Sequence, residues 1–392
     1  MKNARADYMQ WAKQHPHARW DLCGSNLLPC SNDDLPEAAG ALQINGPNDE
    51  GYAPLIEAIA RRYGVATSQV ATGTGTSGVN FLVCAALLDA GDEVLVETPG
   101  YDPLFAAPEL LGARVVHFER RFEDGYALDP DLVARVLTDR TRLIIITNLH
   151  NPSGVRASDE ALAAVGRLAE RAGARVLVDE VYLDSVIADL GPRTPDAGHR
   201  IPDTGRETSD LRTSDVGLRT SDFGRRPSAS LGAQFISTSS LTKSYGLAGL
   251  RCGWALASPE VAERVRRARD IVDGTGVFPA ERMAVVAFEH LDRLAARARA
   301  ILEPNFALVR RVLDGRREIE YVPPAGGTVV FPRLRGQADA APFIERLFRE
   351  QEVGVVPGRF FQAPAHFRLA FGGPRETLEC GLERIGRLLD RM

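Results

Sequence analysis

Short apolar runs alternate with amphipathic stretches through the first two-thirds of the chain, and this alternation constrains the fold more than any other feature. Five runs, at residues 93–96, 114–118, 143–147, 175–178 and 235–238, are bounded by turn residues, as buried strands are. Helical patterns such as those at 52–63 and 159–172 lie between them. Strands that alternate with helices predict an α/β domain with a mostly parallel sheet.

The pattern changes after about Pro259. Residues 281–313 predict one long helix that is interrupted near Pro304. Short strands at 328–332 and 366–371 and helices at 341–351 and 375–392 are predicted after it. We therefore expect a large domain at 46–275 and a smaller α+β domain at 276–392, with residues 1–45 packed on the smaller domain. A chain of 392 residues is long enough for both cores.

Residues from about 190 to 232 form a low-complexity segment within the large domain. Gly, Pro, Arg, Ser, Thr and Asp dominate it, and the sequence Arg-Thr-Ser-Asp occurs at 212–215 and again at 219–222. Apolar residues are too sparse here to build a core. We interpret the segment as a loosely ordered surface insertion, which the fold tolerates because the entropy cost of a loop grows only slowly with its length.

Composition disfavours several classes of function. The formal net charge of −5 offers no basic field for nucleic acid. No apolar run approaches membrane-spanning length, and the first residues lack the apolar stretch of a signal peptide, so we expect no membrane contact and a cytoplasmic location. The five cysteines and seven histidines show no metal-binding spacing, so no metal is predicted.

The segment 240–254 carries the first cluster with chemical meaning. Lys243 follows a predicted strand and a run of hydroxyl residues, and glycines and Arg251 come after it. A lysine that attacks an aldehyde must be neutral, and burial beside Arg251 would lower its pKa. The hydroxyl of Ser240 and the guanidinium of Arg251 suit a phosphate. By composition alone, a surface lysine in a polar loop is the commoner interpretation.

Three other clusters of polar residues lie at the ends of predicted elements. A Gly/Ser/Thr loop at 72–78 opens a helical pattern, where free N–H groups favour an anion, although the lysine of a Walker motif is missing. Asn151 follows the predicted strand at 143–147, and Asp179 and Tyr182 follow the next one. Parallel strands present such residues to one crevice, although helix capping is the commoner role of a lone polar residue there.

The order and content of these four clusters resemble those of the class I and II aminotransferases, which are pyridoxal-phosphate (PLP) enzymes of fold type I. The resemblance covers nearly the whole chain. It implies an α/β fold, in which a mostly parallel sheet in an α/β/α sandwich forms the large domain beside a smaller α+β domain. It also implies transfer of an amino group from an L-amino acid to a 2-oxo acid by a ping-pong mechanism.

The resemblance implies a role for each matching residue. Lys243 matches the lysine that holds the cofactor as a Schiff base and then moves a proton, and Asp179 matches the carboxylate that faces the pyridine nitrogen. Asn151 and Tyr182 match the pair that bonds the phenolic oxygen of the cofactor. The remaining implied cofactor contacts are Gly75, Thr76, Ser77, Ser240 and Arg251 around the phosphate, and Tyr101 stacked on the ring.

Substrate and assembly residues follow from the same resemblance. Arg368 matches the arginine that grips the substrate α-carboxylate as a bidentate pair, with Asn151 and the backbone N–H of Gly24 close to the same group. Tyr52 matches a tyrosine that crosses a dimer interface to the phosphate of the neighbouring site, so a homodimer is implied. His150 is a candidate for substrate contact, although a loop histidine without a role is the commoner interpretation.

Other functions of the same scaffold stay open at this point. A PLP-dependent lyase or cyclase would share every cofactor residue named above. An acyl-transferring synthase is disfavoured because such enzymes stack a histidine where this chain has Tyr101, and a DNA-binding regulator is disfavoured by the acidic charge. The sequence identifies neither the amino donor nor the acceptor.

Overall fold

The computed structural model describes residues 5–187 and 226–392 of the chain. The Arg-Thr-Ser-Asp repeat that we interpreted as part of a surface insertion lies outside these residues. The helices of the described ranges are α1 (Asp7–Gln14), α2 (Glu37–Gly40), α3 (Ala53–Tyr63), α4 (Gly75–Leu87), α5 (Pro103–Leu110), α6 (Pro130–Val136), α7 (Asp159–Ala172), α8 (Pro259–Val272), α9 (Phe278–Glu289), α10 (Leu291–Leu313), α11 (Ala341–Gln351) and α12 (Arg375–Leu389). The strands are β1 (Trp20–Asp21), β2 (Val70–Thr74), β3 (Glu93–Thr98), β4 (Arg114–Glu119), β5 (Thr141–Thr147), β6 (Arg175–Asp179), β7 (Phe235–Ser240), β8 (Cys252–Leu256), β9 (Ile319–Glu320), β10 (Val329–Val330), β11 (Arg333–Leu334), β12 (Val353–Gly354), β13 (Val356–Pro357) and β14 (Phe367–Ala370).

A seven-stranded sheet with the order β2-β8-β7-β6-β5-β3-β4 forms the centre of the molecule. β8 is antiparallel to both of its neighbours, and all other pairs are parallel. The mostly parallel sheet predicted from the sequence is confirmed, and its five predicted strands correspond to β3 to β7. The segment 72–78 is not wholly a loop, because residues 72–74 pair with residues 252–254 of β8 and so belong to β2.

Both faces of the sheet are covered by helices. Leu143 and Ile145 of β5 pack in the core that contains α4 and α8, whereas Ile144 and Ile146 pack on the other face in the core that contains α7. All four side chains are almost completely buried. Because successive side chains of a strand point to opposite faces, a continuous apolar run fits a strand covered on both sides, and the α/β/α sandwich is confirmed.

The predicted long helix at 281–313 is wrong in one respect: it breaks at His290 rather than near Pro304. The break separates α9 from α10, and Pro304 lies within α10. Ala284 of α9 packs in the core of the large domain, while Phe306 of α10 packs in the core of the smaller domain. Pro304 and Ala300 are both exposed, so the carbonyl that loses its helical partner at this proline faces solvent and water can satisfy it.

A second core forms among α10, α11, α12 and the short strands of the C-terminal part. β14 pairs antiparallel with β10 and β13, and β1 pairs parallel with β12. Leu22 and Leu27, from the N-terminal segment, are buried in this second core. The α+β character of this part follows from these contacts, whereas the exact division of the chain into domains at residues 45 and 275 stays a prediction.

Candidate active site

The carboxyl edge of the central sheet borders a cavity of about 200 Å³. β5, β6 and β7 end at this edge, and β2 runs in the same direction and leads into α4. Open α/β sheets bind ligands at this edge. Nine residues that the sequence predicted for the site line the cavity: Thr76, Ser77, Tyr101, Asn151, Asp179, Tyr182, Ser240, Lys243 and Arg251.

Gly75 allows Arg251 to lie against the first turn of α4. The backbone of Gly75 has a φ of 70°, and its N–H donates to the carbonyl oxygen of Arg251 at 2.8 Å. A Cβ at Gly75 would lie 2.4 Å from Nη2 of Arg251, so a glycine is needed here. The hydroxyl of Thr76 in this turn is buried and lacks a hydrogen-bond partner among the described residues. Helix-terminal N–H groups, a hydroxyl and a guanidinium together form an anion-binding cup.

Asp179 presents a buried carboxylate to the same cavity. Its Oδ2 accepts a hydrogen bond from Nδ2 of Asn80 at 2.8 Å, and its Oδ1 accepts from the N–H of Val181 at 3.1 Å. The side chain of Asn80 is in turn fixed by the hydroxyl of Thr238, which donates to Oδ1 at 2.6 Å. Burial raises the pKa of Asp179 to about 6, although these hydrogen bonds act in the opposite direction. A cationic partner in the cavity would favour its ionised form.

Lys243 lies across the cavity with its amine bound to neutral oxygen atoms. Its Nζ donates to Oγ of Ser25 at 2.9 Å and to Oδ1 of Asn26 at 2.7 Å. Burial lowers the pKa of Lys243 to about 7, and the positive charges of Arg368 and Arg251 act in the same direction. The lysine is thus available as a neutral amine near neutral pH, as its predicted role requires.

Tyr182 and Asn151 lie on the side of the cavity that faces the smaller domain. The hydroxyl of Tyr182 donates to the carbonyl oxygen of Ser25 at 2.9 Å. Burial raises the pKa of Tyr182 to about 12, so the hydroxyl keeps its proton and acts as a donor. The amide oxygen of Asn151 accepts a long hydrogen bond of 3.4 Å from Nη1 of Arg368. Asn151 is therefore placed between the cavity and the arginine.

Arg368 is a buried cation without a carboxylate partner. Its side chain is almost completely inaccessible, and no acidic side chain of the described residues lies within 4.0 Å of it. The guanidinium lies 4.9 Å from the ring centres of both Tyr8 and Phe361. Its Nη2 donates to the hydroxyl of Tyr8 at 2.5 Å, while Nε has no partner among the described residues. A buried arginine of this kind is ready to bind an anionic ligand.

Helix α1 covers the cavity, which the sequence did not predict. Tyr8 and Met9 of this helix contact Tyr101, whose hydroxyl lies 3.2 Å from the sulfur of Met9 and whose ring meets that of Tyr8 edge-on. Asp102 accepts the N–H of Tyr8 at 2.7 Å and so binds the first turn of α1. Burial raises the pKa of Asp102 to about 6. The amphipathic pattern of residues 7–14 indicates a buried face of a short helix, but it does not identify the residues that this face contacts.

A buried ion pair supports the loop that carries Asn151. Nη1 of Arg120 donates to Oε2 of Glu97 at 3.0 Å, and both side chains are at most 1% exposed. The other carboxylate oxygen accepts from the N–H of Thr147 at 2.7 Å and from its hydroxyl. The same hydroxyl oxygen accepts the N–H of Asn151 at 2.8 Å. This chain of contacts was not predictable from the sequence, because its members come from three separate strands and loops.

Four of the residues predicted for the site do not line the cavity: Gly24, Tyr52, Gly75 and Arg368. Gly24 lies next to Cys23, whose carbonyl oxygen accepts from Arg368 at 3.4 Å. Tyr52 precedes α3, and its ring packs edge-on against Phe278 at 5.3 Å. These positions leave the predicted roles of Gly24 and Tyr52 as predictions.

His150 is buried beneath the site rather than directed at a substrate. Its Nδ1 lies 2.6 Å from Oγ of Ser153, and its Nε2 lies 2.8 Å from the carbonyl oxygen of Pro99. Burial lowers the pKa of His150 well below its ordinary value, so the ring is neutral. Both ring nitrogens are thus used within the protein, and the histidine links the loop before Asn151 to the loop before Tyr101.

Residues 5–187 and 226–392 contain neither a metal-binding cluster nor a membrane-spanning helix. No cluster of three or more His, Cys, Asp or Glu side chains there is arranged to hold a metal ion. No helix in the same ranges combines the length and the apolar character needed to cross a bilayer.

Comparison with known proteins places these residues in a family. A profile described as "Aminotransferase class I and II" matches residues 32–385. The chain is 32% identical to capreomycidine synthase of Streptomyces vinaceus over 82% of this chain and 74% of that protein. It is 27% identical to an aspartate aminotransferase of Thermotoga maritima over 94% and 90% of the two chains. The crystal structure of a PLP-dependent aminotransferase from Streptococcus suis superposes with a TM-score of 0.83, at 26% identity over 100% and 99% of the two chains.

Proposed function

The chain belongs to the class I and II aminotransferase family and is accordingly a PLP-dependent transferase of amino groups, and we propose that Lys243, Asp179 and Arg368 carry its reaction. Its substrates are an amino acid and a 2-oxo acid, which exchange an amino group. The observation that carries the assignment of Lys243 and Asp179 is that a lysine, a buried carboxylate and an anion cup line one cavity. Arg368 is added because it is a buried cation that contacts Asn151 at the edge of this cavity.

The donor set of the cavity fits PLP. The cup formed by the first turn of α4 and Arg251 suits the phosphate, and the unpartnered hydroxyl of Thr76 supplies one more donor for it. The carboxylate of Asp179 suits a protonated pyridine nitrogen, because the cation offsets the cost of its burial. When bound, PLP supplies an electron-accepting ring that stabilises the charge left when a bond to the substrate Cα breaks.

The side chains around the cofactor site divide the remaining work. The amine of Lys243, with a pKa of about 7, would accept the proton from the substrate Cα and later release it to the bound reactants. Arg368 binds the α-carboxylate, since it is a buried cation with free donor capacity. Tyr182 and Asn151 line the edge of the cavity and would contact the bound groups there.

The test of this proposal is a spectral titration of the purified protein with PLP. Single L-amino acids are added in the absence of any oxo acid, and the visible absorption of the protein-bound cofactor is followed. We expect one amino acid to convert the cofactor stoichiometrically to its amine form and a 2-oxo acid to restore it, which names both substrates. The variant Lys243→Ala should lack the absorption of covalently held cofactor. Reversible conversion by Lys243→Ala at the wild-type rate would refute the role of this lysine.

A lyase or cyclase reaction is the second candidate. Its support is the 32% identity to a relative named as a synthase rather than as an aminotransferase. The same titration separates the two functions. If an amino acid is consumed with release of ammonia, or is converted to a product that keeps its nitrogen while the aldehyde form of PLP returns without any oxo acid, then the second candidate replaces transamination.

A homodimer is the assembly that we propose for the enzyme. The large apolar side chains of Leu42, Ile44, Ile271 and Val277 are more than half exposed. They lie on two segments that contact each other, since Arg282 donates to the carbonyl oxygen of residue 41 at 2.9 Å. An exposed apolar patch of this kind favours association, and the predicted interface residue Tyr52 packs beside it against Phe278.

Sedimentation of the purified protein tests the assembly. We expect wild-type protein to sediment as a dimer. The dimer of Ile271→Asp should dissociate at a higher protein concentration than the wild-type dimer. Leu110→Asp is the matched control, because Leu110 is an equally apolar exposed residue on α5, outside the patch. A wild-type monomer at micromolar concentration, or equal effects of the two substitutions, would contradict the proposed interface.

A further inference from the structure

Two neighbouring residues of the N-terminal segment bind the reacting atom of Lys243. Oγ of Ser25 lies 2.9 Å and Oδ1 of Asn26 lies 2.7 Å from its Nζ. Neither side chain has a role among those predicted from the sequence. A free neutral amine has two N–H bonds and one lone pair, so two acceptors on one side of the nitrogen use both N–H bonds and leave the lone pair directed elsewhere.

The segment that carries these acceptors is tied to the loop of the lysine. The N–H of Leu27 donates to the carbonyl oxygen of Lys243 at 3.2 Å, and the N–H of Cys30 donates to that of Gly246 at 3.0 Å. The carbonyl oxygen of Ser25 accepts two hydrogen bonds of 2.9 Å, one from the hydroxyl of Tyr182 and one from the hydroxyl of Thr328. The acceptors are therefore held by both domains at a fixed distance from the amine.

No charged acceptor competes for the amine in this part of the site. Asp179 is the one carboxylate among the described residues that line the cavity, and its two oxygens already accept from Asn80 and Val181. The neutral oxygens of Ser25 and Asn26 bind the amine without fixing a permanent charge beside it. They therefore leave it able to accept a proton and to release it again.

The contacts belong to the free lysine. A lysine nitrogen joined to an aldehyde carries at most one N–H, so it cannot donate to both oxygens, whereas the released amine can. The released state is the one in which proton transfer at the substrate takes place. In that step the lone pair of Lys243 would take the proton as the Cα–H bond breaks, and PLP, when bound, would supply the ring that accepts the electron pair of that bond.

We propose that Ser25 and Asn26 are positioning residues that bind the released amine of Lys243 and turn its lone pair toward the substrate. The proposal rests on the function proposed above for Lys243. Loss of either acceptor should slow removal of the α-proton and leave substrate affinity almost unchanged, since neither side chain is needed to hold the carboxylate or the phosphate.

The first test uses the cofactor-free protein and the reactivity of its lysines. The chain contains only three lysines, Lys2, Lys13 and Lys243, so acetic anhydride labelling can be read for each by mass spectrometry. Labelling is followed against pH, and the exposed Lys13 is the internal reference. The wild-type midpoint of Lys243 is expected near 7.

Removing an acceptor and adding a negative charge beside the amine should move this midpoint in opposite directions. Ser25→Ala and Asn26→Ala remove an acceptor of the charged amine, so the midpoint falls and labelling below it rises about three- to tenfold. Asn26→Asp places a carboxylate next to the amine and raises the midpoint. Ser31→Ala is the matched control in the same segment, because its hydroxyl bonds to Asp34 at the surface. Wild-type midpoints in all three acceptor variants would overturn the proposal.

The second test measures exchange of the substrate α-hydrogen with solvent in the cofactor-loaded enzyme. Ser25→Ala and Asn26→Ala should lower kcat for exchange about tenfold with little change in KM, and Ser25→Thr should restore it because the hydroxyl is retained. A tenfold rise in KM without any loss of kcat would overturn the positioning role. Unimpaired exchange in Lys243→Ala would instead refute the function proposed for the lysine, and the labelling result would be unaffected by that outcome.

Discussion

Nη2 of Arg368 donates a hydrogen bond to the hydroxyl of Tyr8, and the two side chains come from opposite ends of the chain, 360 residues apart. The hydroxyl uses an N–H of the guanidinium from which a carboxylate ligand could otherwise accept. Tyr8 is itself 6% exposed and is fixed through its N–H to Asp102. Helix α1 thus gives the buried cation a neutral hydrogen-bond partner.

This contact predicts the behaviour of Tyr8→Phe. A substrate carboxylate must compete with the hydroxyl for Nη2, and a hydrogen bond to a charged group contributes about 1.5–3 kcal/mol. We expect KM for the amino acid to fall roughly tenfold with kcat nearly unchanged, measured by steady-state kinetics. Phe retains the ring that packs on Tyr101 and Phe361. A rise in KM would show instead that the hydroxyl stays bound beside the substrate.

The cofactor side of the site was predictable because its residues follow strands that are evident in the sequence. Asp179 ends β6, Ser240 ends β7, and Asn151 follows β5, so one physical rule about parallel sheets gathers them at one edge. The family resemblance then assigned roles that the residue types alone left open. Lys243 illustrates this, since a lysine in a polar loop has no distinctive local pattern.

The contacts that the sequence did not predict join segments far apart in the chain. Tyr8 and Arg368 belong to different elements that only the tertiary fold brings together, and the same holds for Glu97 and Arg120. Local periodicity gives each residue a face but not a partner from another element. The break at His290 has a similar origin, because it depends on which of the two cores each half of the helix enters.

Gly75→Ala tests whether the anion cup depends on the close approach of Arg251. The new Cβ would lie 2.4 Å from Nη2 of Arg251, and alanine is strained at a φ of 70°. The flexible guanidinium should move away from the first turn of α4. We expect the Kd for PLP, measured by fluorescence titration, to rise about ten- to a hundredfold.

Gly78→Ala is the control for that substitution, because a Cβ there meets only Thr74 at an ordinary 3.4 Å. Both variants lie in α4, so a general effect on the helix would appear in both. Unchanged affinity for PLP in Gly75→Ala, with a folded protein by circular dichroism, would show that Arg251 does not bind the phosphate.

Glu97→Gln tests the buried ion pair under the loop of Asn151. The amide retains an oxygen that can accept from Thr147, but it leaves Arg120 as an uncompensated buried charge. Removing one partner of such a pair costs about 3–5 kcal/mol in the free energy of unfolding. Chemical denaturation should show this loss, whereas Glu119→Gln, in an exposed pair with Arg121, should change stability by less than about 1 kcal/mol. Similar losses in the two variants would show that burial of the pair is not the decisive factor.

Glu180 makes the stability of the protein depend on pH. Its carboxyl is 4% exposed and accepts from the N–H and the hydroxyl of Ser228, and burial raises its pKa to about 7. Between about pH 4.3 and pH 7 the folded protein therefore retains a proton on Glu180, whereas the unfolded chain, with a glutamate pKa of about 4.3, has released it. Stability from this group is complete below about pH 4.3 and is lost as the pH rises through 7. We expect Glu180→Gln to raise the free energy of unfolding at pH 8 by on the order of 1–3 kcal/mol and to have little effect at pH 5. Thermal melting of the wild type and Glu180→Gln between pH 5 and pH 8 measures the difference. Glu289→Gln, at an exposed glutamate, is the control. A gain in stability of equal size at pH 5 and pH 8 would rule out titration of Glu180 as its cause.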